Sequence, residues 1–283
     1  MEFYDFNQLY VSKQFAQRKA VISIGVFDGL HKGHQEIIRT ASNKAKEIGN
    51  CDLVVFTFAQ NPKMMMGRAP FLPPLFTIRL TSVLYQSLGV DKVVVIDFSP
   101  NFSKLTGEEF IARLTSLFDV RAIVVGENFR CGLNADTTPK EISHFLPRYT
   151  KNALLIVPHM YRLKDGTNDS STLVRTKIIE GKLAESAALL GRNYSLDLAH
   201  IPSRKDGCPP IVSLGSFVQL LPPPGEYDAL LFWYDSTSFK VMCCIDEKFL
   251  TITCRDELKR FELSLTKREP TRYDRLEFIK ELP

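Results

Sequence analysis

A chain of 283 residues that is 45% hydrophobic and 24% charged has the apolar content of an ordinary globular protein and room for two domains, which excludes one dominated by disorder. Its formal charge of +4 is mild and its Lys and Arg are scattered, so no nucleic-acid partner is expected, and no apolar run approaches membrane-spanning length. The six cysteines, at 51, 131, 208, 243, 244 and 254, form no C-x-x-C pair and have no suitably spaced His, so no metal ligands are predicted; with a polar start in place of a secretory apolar core, the expected compartment is the reducing cytoplasm.

In chain order, Val21, Ile22, Ile24 and Val26 make the apolar run of a strand buried on both faces, and 35–46 reads as a helix with Ile37, Ile38, Ala41 and Ala45 along one side. Gly25-Val26-Phe27-Asp28-Gly29-Leu30-His31-Lys32-Gly33-His34 joins them. The first turn of a helix leaves backbone N–H groups unpaired and carries partial positive charge, so an anion there gains hydrogen bonds and field together. Gly29 and Gly33 allow close approach to the backbone, and His31 and His34 add donors whose charge is tunable near neutral pH. Such a cradle suits a nucleotide α-phosphate that gains negative charge as it is attacked.

Further strands are predicted at 53–58, 93–98, 122–126 and 154–157, alternating with helices at 78–88, 107–117 and 138–145. This order gives an α/β fold, a mostly parallel sheet with helices on both faces and ligands beyond the carboxyl ends of the strands. Asn61 and Pro62 close the second strand and either line a pocket or simply turn the chain, and the Met64-Met65-Met66 run after them is either a flap over an aromatic ligand or plain packing. Gly126, Asn128 and Phe129 end another strand with the same two readings: a heterocycle subsite, or an Asn turn with a core Phe. Ser170 or Ser171 caps a helix running to about Glu180, and Arg175 falls on the face of Thr172; hydroxyls, first-turn amides and a guanidinium there form a second anion site or an ordinary capped helix with a solvated Arg.

Past Leu196, residues 200–210 read as a linker, and 216–221, 227–234, 239–245 and 249–254 as short strands of a small antiparallel barrel or sheet. Pro222 to Gly225 and Asp235 to Ser238 supply turns, and 256–283 is expected to be partly helical.

An H-x-G-H at a strand-to-helix junction is the signature of nucleotidyltransferases that move AMP or CMP onto a phosphate. The motifs taken together, across about residues 20 to 197, resemble the bacterial bifunctional riboflavin kinase/FMN adenylyltransferase, or FAD synthetase, family. The resemblance is carried by Ile24 to Gln35, Phe56-Thr57-Phe58, Leu88 to Asp91, Phe98 with Leu105 to Phe110, Val125 to Gly132, Ser170 to Arg175, and Gly181 with Ala187 to Leu196. It implies a Rossmann-like nucleotidyltransferase domain over 1–197 and a riboflavin-kinase-like β domain over 198–283. It also implies MgATP and FMN as substrates, with FAD and pyrophosphate as products. On that resemblance Gly25, Phe27, Asp28, Gly29, Gly33, His31 and His34 form the ATP cradle, with both histidines at the α-phosphate. Asn61, Pro62, Gly126, Asn128 and Phe129 contact nucleotide or flavin, Ser171, Thr172 and Arg175 hold the β- and γ-phosphates, and Mg²⁺ is chelated mainly by phosphate oxygens.

The chain departs from the family pattern at Asn61, where His often precedes the Pro, and at Leu173, where a basic residue is usual. The kinase module's Pro-Thr-Ala-Asn motif, its glycine-rich entrance and its later catalytic Glu are not recognisable after Leu196, which predicts a degenerate module that does not phosphorylate riboflavin. Two other readings stay open: another H-x-G-H adenylyl- or cytidylyltransferase, and a flavin- or nucleotide-binding protein whose catalysis has lapsed.

Overall fold

β-Branched and aromatic side chains on both faces of the runs near 21, 53 and 93 require cover from two sides, and a parallel sheet between helices supplies it. A computed structural model describes residues 1–67, 70–159, 161–162, 166–201, 211–234, 237–254 and 273–281, and the chain divides into two compact units.

The first unit takes residues 1–71 and 82–168. Its elements run β1 (Glu2–Asp5), α1 (Phe6–Ser12), β2 (Lys19–Ile24), α2 (Lys32–Ile48), β3 (Asp52–Phe58), α3 (Pro62–Met65), α4 (Ile78–Ser87, its first turn assigned to the second unit), β4 (Lys92–Ile96), α5 (Gly107–Thr115), β5 (Asp119–Val124), α6 (Pro139–Tyr149) and β6 (Leu154–Ile156). The strands pair in parallel in the order β1-β4-β3-β2-β5-β6. Alternate strand residues feed two cores. Ile22, Ile24, Val54 and Phe56 pack with Phe6, Phe110, Ile111 and Phe145, whereas Val21, Leu53, Val55 and Val93 pack with Ile38, Ala41 and Tyr85. Capping boxes, Thr106 with Glu109 and Thr138 with Glu141, start α5 and α6.

The second unit takes residues 72–81 and 169–283. It holds α7 (Ser171–Ile179), α8 (Leu183–Leu190), β7 (Ser195–Asp197), β8 (Ile211–Ser213), β9 (Gly225–Trp233), β10 (Ser238–Ile245), β11 (Phe249–Cys254) and β12 (Tyr273–Glu281). These strands form an antiparallel sheet in the order β7-β12-β9-β10-β11-β8. Tyr227, Ala229 and Leu231 of β9 alternate inward and meet Val241, Cys243 and Ile245 of β10 and Leu276 and Phe278 of β12, the period-two burial of a one-sided sheet.

Several expectations change. The helix predicted from residue 35 begins at Lys32, which makes His31 its N-cap and puts His34 in its first turn. The strand predicted over 216–221 is absent; Leu214–Ser216 is a 3₁₀ turn and Ile211–Ser213 the strand. The reason is that Leu220 gives its N–H to the Pro74 carbonyl and accepts from the Tyr194 hydroxyl, leaving no ladder to join. Tyr273–Glu281, expected within a partly helical tail, is a strand, because Leu276 and Phe278 bury one face while Arg275 and Glu277 stay partly exposed on the other. β1 and α1 were not foreseen. The predicted domain boundary at 197 differs from the compact division, since β7 pairs with β12 and residues 169–197 group with the second unit. Residues 202–210 of the expected linker, with Asp235, Ser236, Arg68 and 255–272, lie outside the described residues. Among the described residues no helix is long and apolar enough to cross a membrane.

Candidate active site

β2 lies between β3 and β5, and the loops leaving all three strands emerge at the same carboxyl end of the sheet. In an open α/β sheet that end is where ligands bind, most readily where the strand order reverses, here beside β2. The residues singled out in this unit all sit on those three loops or in the first turn of the helix that follows.

Leaving β2, Gly25 donates to the Phe56 carbonyl at 3.1 Å, and the Val26 carbonyl accepts from Thr57 Oγ1 at 3.2 Å. Phe27 then turns into the left-handed region at φ 51°, and its ring folds back beneath Gly25. A Cβ on Gly25 would stand 2.9 Å from that ring, so any larger residue there forces the ring to shift. Phe27 is 3% exposed and meets Tyr85 edge-on with centroids 6.4 Å apart, so it supports the cradle from below and does not line it. Gly29, at φ 79°, and Leu30, at φ 39°, complete the reversal, and Gln35 Nε2 returns a hydrogen bond to the Leu30 carbonyl at 2.9 Å.

His31 is the N-cap of α2, with no side-chain capping bond. One helical turn brings its ring to 3.8 Å from that of His34, inclined by 32°, and Phe27 packs edge-on against His34 at 5.3 Å. His34 Nδ1 is buried with no hydrogen-bond partner among the described residues. Burial, and then the charge of His31, push the His34 pKa well below the usual histidine range, so His34 is neutral at pH 7. The helix entrance thus presents two closely packed, tilted imidazoles over first-turn amides that have no acceptor within the helix.

Beyond β3, the Asn61 carbonyl accepts from Met64 and Met65 N–H groups at 3.0 and 3.2 Å, so Asn61 and Pro62 open the short α3; Met65 and Met66 are exposed. Beyond β5, Phe129 N–H closes a turn on the Gly126 carbonyl at 3.0 Å, Asn128 is exposed, and Phe129 packs half-buried on the apolar core. A Cβ on Gly126 would come 3.1 Å from Ile37 Cδ1 of α2, tying the β5 loop to the cradle helix. Sequence reasoning missed His159, exposed after β6, which stands 3.7 Å from Glu127 after β5; His159 lies in no motif, and only strand adjacency pairs it with Glu127.

The second unit carries the remaining candidates. Ser170 caps α7 by accepting from Leu173 N–H at 3.1 Å, Ser171 opens the helix and Thr172 is exposed. Arg175, for which one sequence reading was a solvated side chain, is 8% exposed, and its Nη1 donates to the Pro73 carbonyl at 2.6 Å. Among the described residues no three His, Cys, Asp or Glu side chains converge on a metal-sized site.

A family model described as FAD synthetase matches residues 13–172, more than half of the chain, taking in the histidine cradle and both following loops. The chain belongs to the FAD synthetase family. The family match runs through Ser171 and Thr172 and stops before Arg175. Among curated FAD synthetase relatives, a bifunctional riboflavin kinase/FMN adenylyltransferase of Buchnera aphidicola is 28% identical over 189 residues, 66% of this chain and 60% of that protein. The chain therefore spans under two thirds of that relative's length. A Listeria monocytogenes protein named FAD synthetase is 29% identical over 178 residues, 62% of this chain and 70% of its own. A solved Streptococcus pneumoniae structure described as a macrolide-efflux protein superposes with a TM-score of 0.76 at 20% identity, covering 100% of this chain and 90% of that one, a likeness of fold alone.

Proposed function

We propose that this FAD synthetase family member transfers AMP from MgATP to FMN, giving FAD and pyrophosphate, and does not phosphorylate riboflavin. The observation that carries the reading is the closely packed His31–His34 pair at the start of α2, set at the carboxyl end of β2 where the strand order reverses. An oxygen of the FMN phosphate is already an anionic nucleophile, so the reaction needs alignment and charge stabilisation more than a base. That oxygen bonds to the α-phosphorus, the bridge to the β-phosphate breaks, and pyrophosphate leaves with the electron pair. His31 and the first-turn amides of α2 donate to the α-phosphate oxygens as charge gathers there, while neutral His34 packs against His31 and fixes its ring.

Mg²⁺, when bound, would be held mainly by the nucleotide's phosphate oxygens and waters and would neutralise charge there, asking few ligands of the protein. Asn61, Pro62, Gly126 and Asn128 stand on loops at the same end of the sheet and are assigned contacts to nucleotide or flavin. Ser171, Thr172 and Arg175 are assigned to the β- and γ-phosphates on the family resemblance, supported by the cap of α7 and the burial of Arg175. The missing kinase motif supports the absence of riboflavin phosphorylation. The cytoplasm suits Cys51, Cys131, Cys243 and Cys244, all free thiols.

The test is incubation of the purified chain with MgATP and either FMN or riboflavin, followed by separation of the flavins. FAD from FMN and no FMN from riboflavin is the expected pattern. No FAD from FMN sinks the reading, and flavin binding without turnover would then identify a lapsed enzyme.

A further inference from the structure

Residues 72–81 group with the second unit although the chain on either side belongs to the first. This strap is held at almost every polar position. The Pro74 carbonyl accepts from Leu220 N–H at 3.0 Å, and the Leu75 carbonyl from Gln219 Nε2 at 3.0 Å. Thr77 Oγ1 donates to Asp197 at 2.5 Å. Arg79 forks onto Asp197 at 2.8 to 3.0 Å and reaches the Asp274 carboxylate at 2.5 Å and its carbonyl at 2.8 Å. Phe76 packs edge-on against Tyr194 at 5.5 Å, with the Arg192 guanidinium 4.6 Å over its ring.

Gln219, 3% exposed, lies at the centre. It accepts from Asp197 N–H at 2.7 Å and donates to the Ser195 and Leu75 carbonyls at 3.0 Å each, so one side chain locks β7 to the strap. Two residues up the strap, the Pro73 carbonyl receives Arg175 Nη1 at 2.6 Å. A guanidinium is a rigid plane with a fixed fork of donors, so a short bond to one nitrogen sets the direction in which the others point. Pro73 and Pro74, whose rings fix φ, transmit the anchoring of Leu75 and Leu220 to that carbonyl with little slack.

We propose that Gln219 and Arg79 are positioning residues for Arg175, acting through the strap's Pro73 carbonyl to set the affinity for a polyphosphate. The inference rests on the phosphate role given to Arg175 above. Neither residue lies on α7, and nothing in their local sequence marks them. The strap anchors the orientation of the guanidinium, so loosening them weakens phosphate binding only while Arg175 is present.

The experiment measures inorganic pyrophosphate binding calorimetrically to the full chain, with Gln219→Met, Arg175→Met and the double variant, alongside thermal melts. Gln219→Met is expected to weaken pyrophosphate binding about tenfold, the scale of one mis-set charge-assisted hydrogen bond, and to leave the residual affinity of Arg175→Met unchanged. Equal weakening in both backgrounds, or none in either, overturns the proposal, because a purely structural role would act without Arg175. Should Gln219→Met not fold, Arg79→Lys, which keeps the charge but loses the fork, takes its place with the same expectations. Unchanged pyrophosphate affinity in Arg175→Met removes the phosphate role itself, and the positioning with it. Binding needs no turnover, so the expected pattern in a chain that made no FAD would uphold the positioning while sinking the catalytic reading.

Discussion

In the first unit, His31 and His34 meet because one helical turn separates them, and Gly25, Phe27 and Gly29 shape the same ten-residue loop. In the second, Arg175 is seated by Pro73 across 102 positions, and Arg79 reaches Asp274 across 195. The first arrangement is written in local backbone geometry, so strand register and helix start suffice to build it. The second exists only once β7, β12 and the strap have assembled. A site of the first kind loses function one group at a time, whereas a site of the second kind couples function to the stability of its whole unit.

The largest effect expected from breaking this contrast falls on the second unit. Arg79→Met leaves the buried Asp197 carboxylate without its fork, and losing one partner of such a pair costs about 3 kcal/mol. Burial opposes the charge on Asp197, but hydrogen bonds from Arg79 and Thr77 outweigh it and hold its pKa below the ordinary carboxylate range. The chain's one tryptophan, Trp233, lies in β9, so its fluorescence during denaturant unfolding reads this unit; an unchanged midpoint would show that the network is dispensable.

Next comes His31→Ala, which should cut FAD formation on the order of 100-fold with little change in KM or melting temperature, as for one lost transition-state donor. An unaltered rate removes His31 from the mechanism. Gly25→Ala sharpens the local half of the comparison. Its methyl meets the Phe27 ring, itself backed by His34 and Tyr85, and overpacking of this kind costs about 1–3 kcal/mol. Both turnover and melting temperature should drop, and a variant that kept wild-type values in both would show that the loop relaxes freely.

The smallest effect is the pH dependence of His34. Its folded pKa lies well below the unfolded value of about 6.5, so under acid conditions the unfolded chain binds a proton that the folded chain does not. Stability is therefore retained above about pH 6.5 and declines below it, by at most about 1 kcal/mol over the first pH unit, the linkage limit for one proton. His34→Asn should flatten the acid side of a melting-temperature profile relative to the parent, and parallel profiles would refute the assignment.

The histidine pair at a helix entrance, the turn glycines and the strand cores of the first unit were legible because each depends on neighbours within a few residues: apolar alternation and left-handed turns act locally. The capping threonines at 106 and 138 sit where the helices 107–117 and 138–145 were expected to begin. The burial of Arg175 was not legible, because its partner is a backbone carbonyl, which every residue has and no sequence pattern announces. Gln219 looked like part of a strand for the same reason.

By itself the sequence determined strands β2 to β6 of the parallel sheet and the histidine pair at a helix entrance, which follow from periodicity and short-range sterics, while the family was reached through the resemblance of its motifs. Only the tertiary structure decided that Tyr273–Glu281 is a strand, that 216–221 is not, and that residues 72–81 serve the second unit. Those outcomes turn on which distant backbone groups and apolar faces find partners, and pairing across a hundred or more residues leaves no mark on either segment alone.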